Sequence, residues 1–222
     1  MNLGAGALPV PWLAATWLLL IPLLAGLILR APWTRLREPG RRHAFLGATV
    51  SLMLLWGLHT DLPPHLHLHY LGIATVALMF GWRLAAVAAA AALVGISLNG
   101  EAGWSAFAAN LLLMGVLPAW VTCAVRRLAE RRLAPNLFVY LYVCGAFGAA
   151  LSMAACLLAG AALLGAGGTG AFVQVLGAYL VPAPFLIVTE AVLNGMVITG
   201  LVIYRPEWVT TFDRNRYLPP RS

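Results

Sequence analysis

Charge is confined to a few short segments of this 222-residue chain, and that confinement limits the possible folds more than any motif does. No charged side chain occurs from Met1 to Leu29, and between Arg132 and Arg205 the only one is Glu190. A membrane-spanning helix needs about 20 mostly apolar residues, and stretches of that kind recur along the sequence. Charged residues make up 9% of the chain, where a soluble domain carries about 25%. A water-soluble globule could not cover its surface with so few charges, which excludes a soluble enzyme or a nucleic-acid binder. A net charge of +7 would otherwise suggest nucleic acid. All 14 cationic residues are arginines, however, and they lie between the apolar runs. Basic loops of this kind orient an integral membrane protein.

The apolar runs predict an all-α polytopic membrane protein of about seven spans. The first covers 11–30, opened by Pro11 and closed by Arg30, and no basic region precedes it as in a secretory signal peptide. The second is 43–60. The stretch 68–99 is too long for one span and is interrupted at Gly81-Trp82-Arg83, which divides it into two short spans, 68–81 and 83–99. Further spans follow at 104–127 and 136–164, with a flexible break at Gly165–Gly170. The run 171–204 contains Pro182 and Pro184, each of which disfavours helix before it. It therefore divides into an amphipathic entry, 171–180, and a span, 184–204. The whole forms one domain over 1–208, with an N-terminal loop 1–10 and a cytoplasmic tail 209–222.

With seven spans, every arginine falls on one side, from the 30–42 loop through Arg83 and Arg126–Arg132 to the tail. The positive-inside rule makes that side cytoplasmic, with the N-terminus outside and the C-terminus inside. Small residues recur at helical spacing in Ala88–Ala92 and at Ala146, Ala150 and Ala154, suiting close helix packing within the chain or docking on another membrane subunit. Cys123, Cys144 and Cys156 lie in apolar runs without metal-ligand spacing and read as packing residues.

The candidate chemistry lies on the opposite side. His59, His65, His67 and His69 fall within eleven residues, with Asp61 among them. Imidazole suits nickel, copper, zinc and cobalt, and carboxylates orient metal-bound histidines. If Pro64 opens a helix, His65 and His69 share a face at i, i+4; in an extended segment His65, His67 and His69 share one side. Met1 supplies a further nitrogen donor through its amine, on a glycine-rich, uncharged arm able to fold back into the helices. Glu190 is an ionisable residue inside a span, and no span interior holds an arginine or lysine to pair with it. Its expected role is to accept hydrogen bonds from Asn194 or Asn110 rather than to ligate metal. Asn110 and Met114 lie one turn apart and could line a cavity or hold the folded-back arm.

Three blocks resemble the CbiM/NikM family of cobalt and nickel transporters. Its histidine block is similar to His67–Gly72 followed by Phe80-Gly81-Trp82, which aligns the family's metal-binding histidine with His69. A second block resembles Gly103–Met114 and includes Asn110. The third looks like Pro184, Glu190 and Asn194, then Arg205-Pro206-Glu207. The resemblance implies a substrate-binding membrane subunit of an energy-coupling-factor ABC transporter in the cell (plasma) membrane. It would import a divalent cobalt- or nickel-class ion, with Met1, Asn2, His69, His67 and His65 as the candidate ligands. Its partners would be a transmembrane coupling subunit and cytoplasmic ATPase subunits. The chain has no phosphate-binding GxxxxGK[ST] loop of its own and no cofactor motif. One departure stands out. The family begins Met-His and uses that histidine as a ligand, whereas Asn2 stands here. Either His65 or His67 substitutes, or the metal differs, copper or zinc included, or the chain is a structural or assembly protein. An intramembrane enzyme is disfavoured, because neither HExxH nor a GxSxG-type serine motif is present.

Overall fold

Prolines and glycines set the limits of the helices. A proline occupies the first turn of α1 (Val10–Arg30), α2 (Pro39–Gly57) and α7 (Ala183–Tyr204), where its missing N–H costs nothing. Gly81, at φ 86°, separates α3 (Ile73–Phe80) from α4 (Trp82–Leu98). The chain breaks at this glycine, two residues before Arg83, because few other residues adopt that backbone conformation. Two longer helices complete the bundle, α5 (Trp104–Arg132) and α6 (Val139–Ala166). Each contains wide π-type turns, at Leu111–Val116 and Val139–Phe147. In α5 the wide turn ends just before Pro118, which cannot donate to the preceding turn. This computed structural model describes residues 2–3, 6–62, 66–100, 103–167, 177 and 181–218, with the backbone alone described at 2, 60–62 and 66–68.

Among the described residues, α1, α5, α6 and α7 are long and apolar enough to cross a bilayer, and α4 is a shorter apolar helix. The segment 68–81 differs from its expected form. Its helix begins only at Ile73, so α3 is about 12 Å long and cannot cross a bilayer core of about 30 Å alone. All eight of its residues are buried, which makes it a half-helix enclosed by its neighbours. Most of the expected 171–180 entry lies outside the described residues.

The alanines of α4 explain how it sits at the centre. Ala85, Ala86, Ala88, Ala89 and Ala92 are all buried and α4 packs on α1, α2, α3 and α5. A Cβ at Gly115 of α5 would lie 2.7 Å from the Ala89 Cβ, and one at Gly95 would lie 2.5 Å from Met53 Sδ on α2. These small residues let backbones approach where larger ones would hold them apart. Large apolar side chains instead face outward, such as Leu18, Ile21 and Leu29 on α1 and Val188, Met196 and Ile203 on α7. Apolar exposure on this scale suits lipid rather than water.

Apart from the helices there is one small antiparallel sheet, with β1 (Asn2–Leu3), β2 (Thr60–Leu62) and β3 (Leu66–Leu68) in the order β1-β3-β2. The N-terminal arm thus contributes a strand rather than only a loop. Asn2 and Asp61 are the two cross-strand partners of His67. At the other end of the bundle the arginine-bearing segments meet. Arg83 donates to Arg30 O at 3.1 Å, and Arg41 donates to Glu207 O at 2.9 Å.

Candidate metal centre

The N-terminal strand and the His69 loop are each held by a side chain from a distant helix. Asn110 of α5 is fully buried and forms a two-way bond with Leu3. Leu3 N donates to its Oδ1 at 2.7 Å, and its Nδ2 donates to Leu3 O at 3.0 Å. The amide thereby mimics one more strand residue, and Leu3 itself is 1% exposed. Asn110 stands at the start of the wide turn of α5. Met114, one turn on, is buried in the core.

Glu190 does the corresponding job for the loop. Leu71 N donates to its Oε2 at 2.9 Å and Gly72 N to its Oε1 at 2.7 Å. Asn194, one turn later on α7, donates from Nδ2 to Glu190 Oε1 at 2.8 Å. Its Oδ1 accepts from Thr75 N at 3.0 Å and from Thr75 Oγ1 at 2.7 Å. Together these acceptors take Leu71 N and Gly72 N just before α3 and Thr75 N in its first turn, a group that no turn of its own helix can reach. The Glu190 carboxyl sits at the positive end of the α3 dipole, and its partners among the described residues are N–H donors. Glu190 and Asn110 do not bond each other; each anchors a different backbone segment.

Gly72 allows this geometry. It lies at φ 64°, and a Cβ there would be 2.8 Å from Leu55 Cδ2. Trp56 of α2 adds a third hold, donating from Nε1 to Leu71 O at 2.9 Å. Its ring lies 5.9 Å from that of His69. His69 follows β3 directly and is 3% exposed. Its Nδ1 and Tyr70 O are 2.9 Å apart, and a carbonyl can only accept, so Nδ1 carries the proton. In the neutral ring Nε2 then holds the lone pair, the form a metal ion requires.

The remaining candidates divide. His67 and Asp61 are strand residues in register with each other, and the extended alternative therefore applies to His67. Met1 and His65 lie outside the described residues. His59 follows α2, and His43 stands in the second turn of that same helix, far along it from the loop. Among the described residues no three His, Cys, Asp or Glu side chains gather as a metal site. The three cysteines are buried and unbridged. Sequence reasoning missed Trp56 and Thr75. Only the position of Thr75, three residues after Gly72, hints at a helix start.

The described helices form a multi-pass membrane protein with one buried half-helix. The fold is shared with two crystal structures, each 19% identical in sequence. One is described as a transition metal transporter, with a TM-score of 0.79 over 95% of this chain and 96% of that one. The other is a truncated transition metal transporter, with a TM-score of 0.78 over 92% and 99%. No curated protein matches the chain by sequence. The family model described as CbiM, the cobalt uptake substrate-specific transmembrane region, matches residues 2–208, and the chain belongs to that family. The family is one of transport components.

Proposed function

We propose that this chain is the substrate-binding membrane subunit of an energy-coupling-factor ABC transporter that imports a divalent transition-metal ion of the cobalt or nickel class. One observation carries the reading. Asn110 anchors the strand that begins at Asn2, while Glu190 anchors the loop that follows His69, and β3 joins the two through the pairing of Asn2 with His67. A site drawn from the N-terminus and the histidine segment needs both to be fixed against the same bundle. The proposed donors are the Met1 amine, Asn2 and His69, with His67 or His65 replacing the histidine that the family has at position 2. That replacement also favours a second reading, an ion of different preference such as copper or zinc. The domain spans 1–208 with seven crossings, the third made by the loop from His69 together with the half-helix α3. The N-terminus and His59–His69 face outside, and the arginines and the 209–222 tail face the cytoplasm of the cell membrane. Energy would come from a coupling subunit and ATPases, since this chain has no phosphate-binding GxxxxGK[ST] loop.

Binding isotherms for cobalt, nickel, copper and zinc on detergent-purified protein test this directly. His69→Ala should weaken binding of the preferred ion about tenfold, roughly 1.4 kcal/mol. One residue added before Met1 should weaken it more than His59→Ala does. Unchanged isotherms for both variants would overturn the assignment. For orientation, a cysteine at position 62 should label from outside and one at position 129 should not.

A further inference from the structure

The arginine-bearing end holds a half-open cavity of about 400 Å³ that the metal reading does not use. Five arginines line it: Arg35, Arg83, Arg126, Arg127 and Arg216. Only two acids do, Glu130 and Asp213. Glu130 is already engaged, by Arg126 and by Tyr217, whose hydroxyl donates to it at 3.1 Å. Several of the arginines have structural partners as well. Arg83 reaches Arg30 O, Arg35 reaches Phe80 O at 3.3 Å, and Arg216 reaches Glu130 O at 3.1 Å. Each of these contacts uses one nitrogen of a guanidinium that carries five donors. Arg126 Nε is enclosed and has no hydrogen-bond partner among the described residues.

The backbone adds to the same potential. The cavity includes Gly81, Trp82 and Arg83, the start of the 17-residue helix α4. That start has no side-chain cap and no acid in its first turn, where an acid would be favourable. Instead it carries an arginine. Gly81 keeps the site open, since a Cβ there would come within 3.4 Å of the Arg35 guanidinium. A helix start without a side-chain cap, beside five arginines and only two acids, suits a tetrahedral oxyanion.

We propose that this cavity binds a phosphate-bearing anion, held by Arg83, Arg127 and the uncapped start of α4. The phosphate belongs either to the headgroup of an anionic phospholipid or to a small soluble ester. Both present the same oxygens to the arginines, and the two sources separate by experiment. The site is independent of the metal reading and involves none of its ligands.

The test uses the full-length protein purified in a zwitterionic detergent and stripped of lipid. One arm adds dioleoylphosphatidylglycerol or dioleoylphosphatidylcholine and counts retained lipid by native mass spectrometry. The other titrates inorganic phosphate against chloride at equal ionic strength and follows the thermal midpoint. Wild-type protein should retain phosphatidylglycerol over phosphatidylcholine, or gain stability with phosphate. The Arg83→Gln/Arg127→Gln double variant should weaken the effective probe about tenfold. Arg132→Gln, which removes an exposed charge outside the cavity, should leave it unchanged. Because Arg83 also bonds Arg30 O, Arg127→Gln alone serves as the variant with its fold intact, and it should show the same direction. Retention of phosphatidylglycerol without a phosphate effect assigns the lipid; the reverse assigns the soluble ester. If neither probe binds wild-type protein, or if Arg127→Gln and Arg132→Gln behave alike, the proposal is overturned.

Discussion

The two ends of α3 solve the same physical problem in opposite ways. A buried half-helix leaves unpaired N–H groups at its start and unpaired carbonyls at its end, with no water to satisfy them. At the start, one helix supplies the acceptors for Leu71, Gly72 and Thr75 N–H, through Glu190 and Asn194 on adjacent turns of α7. At the end, the carbonyls are shared among separate segments. Gly81 N donates to Ala77 O at 2.8 Å, Thr211 Oγ1 to Leu78 O at 2.6 Å, Thr210 N to Met79 O at 2.8 Å, and Arg35 to Phe80 O. The start depends on one carboxylate, so a single change there removes several bonds. The end is distributed, and each contact carries a small share. The concentrated end is also the one that holds the His69 loop.

The largest effect should come from Glu190→Ala, which leaves the Leu71 and Gly72 N–H groups buried without an acceptor. A loss of about 3–5 kcal/mol is expected, read as a drop in thermal midpoint in detergent. Glu190→Gln keeps one oxygen and should lose less. If Glu190→Ala melts no lower than a variant at the other end of α3, the contrast between the ends fails.

Asn110→Ala tests the second anchor. Both polar groups of Leu3 lose their partner, at a cost of about 1–3 kcal/mol. Under the proposed function metal affinity should fall with it, as for His69→Ala. A lower melt with an unchanged isotherm would separate strand anchoring from ion binding.

Gly72→Ala forces a Cβ against Leu55 in a left-handed conformation and should cost about 1–2 kcal/mol. Adding Leu55→Ala should recover the part due to the clash and leave the backbone part. Full recovery would show that the conformation itself is unstrained.

The smallest effect should follow Thr211→Val at the distributed end. It removes one donor to Leu78 O and the partner of the Tyr140 hydroxyl, 2.7 Å away, and should cost about 1 kcal/mol, with metal affinity unchanged. A loss of metal affinity here would mean that α3 transmits strain from one end to the other.

The residues behind this contrast are legible in the sequence to unequal degrees. Glu190 stands out as the one charge between Arg132 and Arg205, and Asn194 one turn away is a readable partner. Its backbone partners are not readable, because Leu71 and Gly72 lie 119 and 118 residues away and no periodicity links them. Asn110 is legible only as a polar residue in an apolar run; its bond to Leu3 crosses 107 residues. The expected span 68–81 is too long for a related reason. Hydropathy responds equally to lipid and to protein interior, so a buried half-helix and the strand before it read as one apolar run.

The sequence by itself determined the class of protein and the helix breaks at Pro11, Gly81 and Pro184. Repeated uncharged runs about 20 residues long suit a lipid solvent, and prolines and glycines stop helices through their own backbones. It also determined that the arginines lie together, since they sit only between runs. The tertiary structure alone decided that α3 stops short of spanning, that residues 2–3 form a strand, and which groups cap the half-helix. Those outcomes rest on hydrogen bonds between groups brought together by helix packing. Their geometry depends on where whole helices cross, which no local pattern encodes.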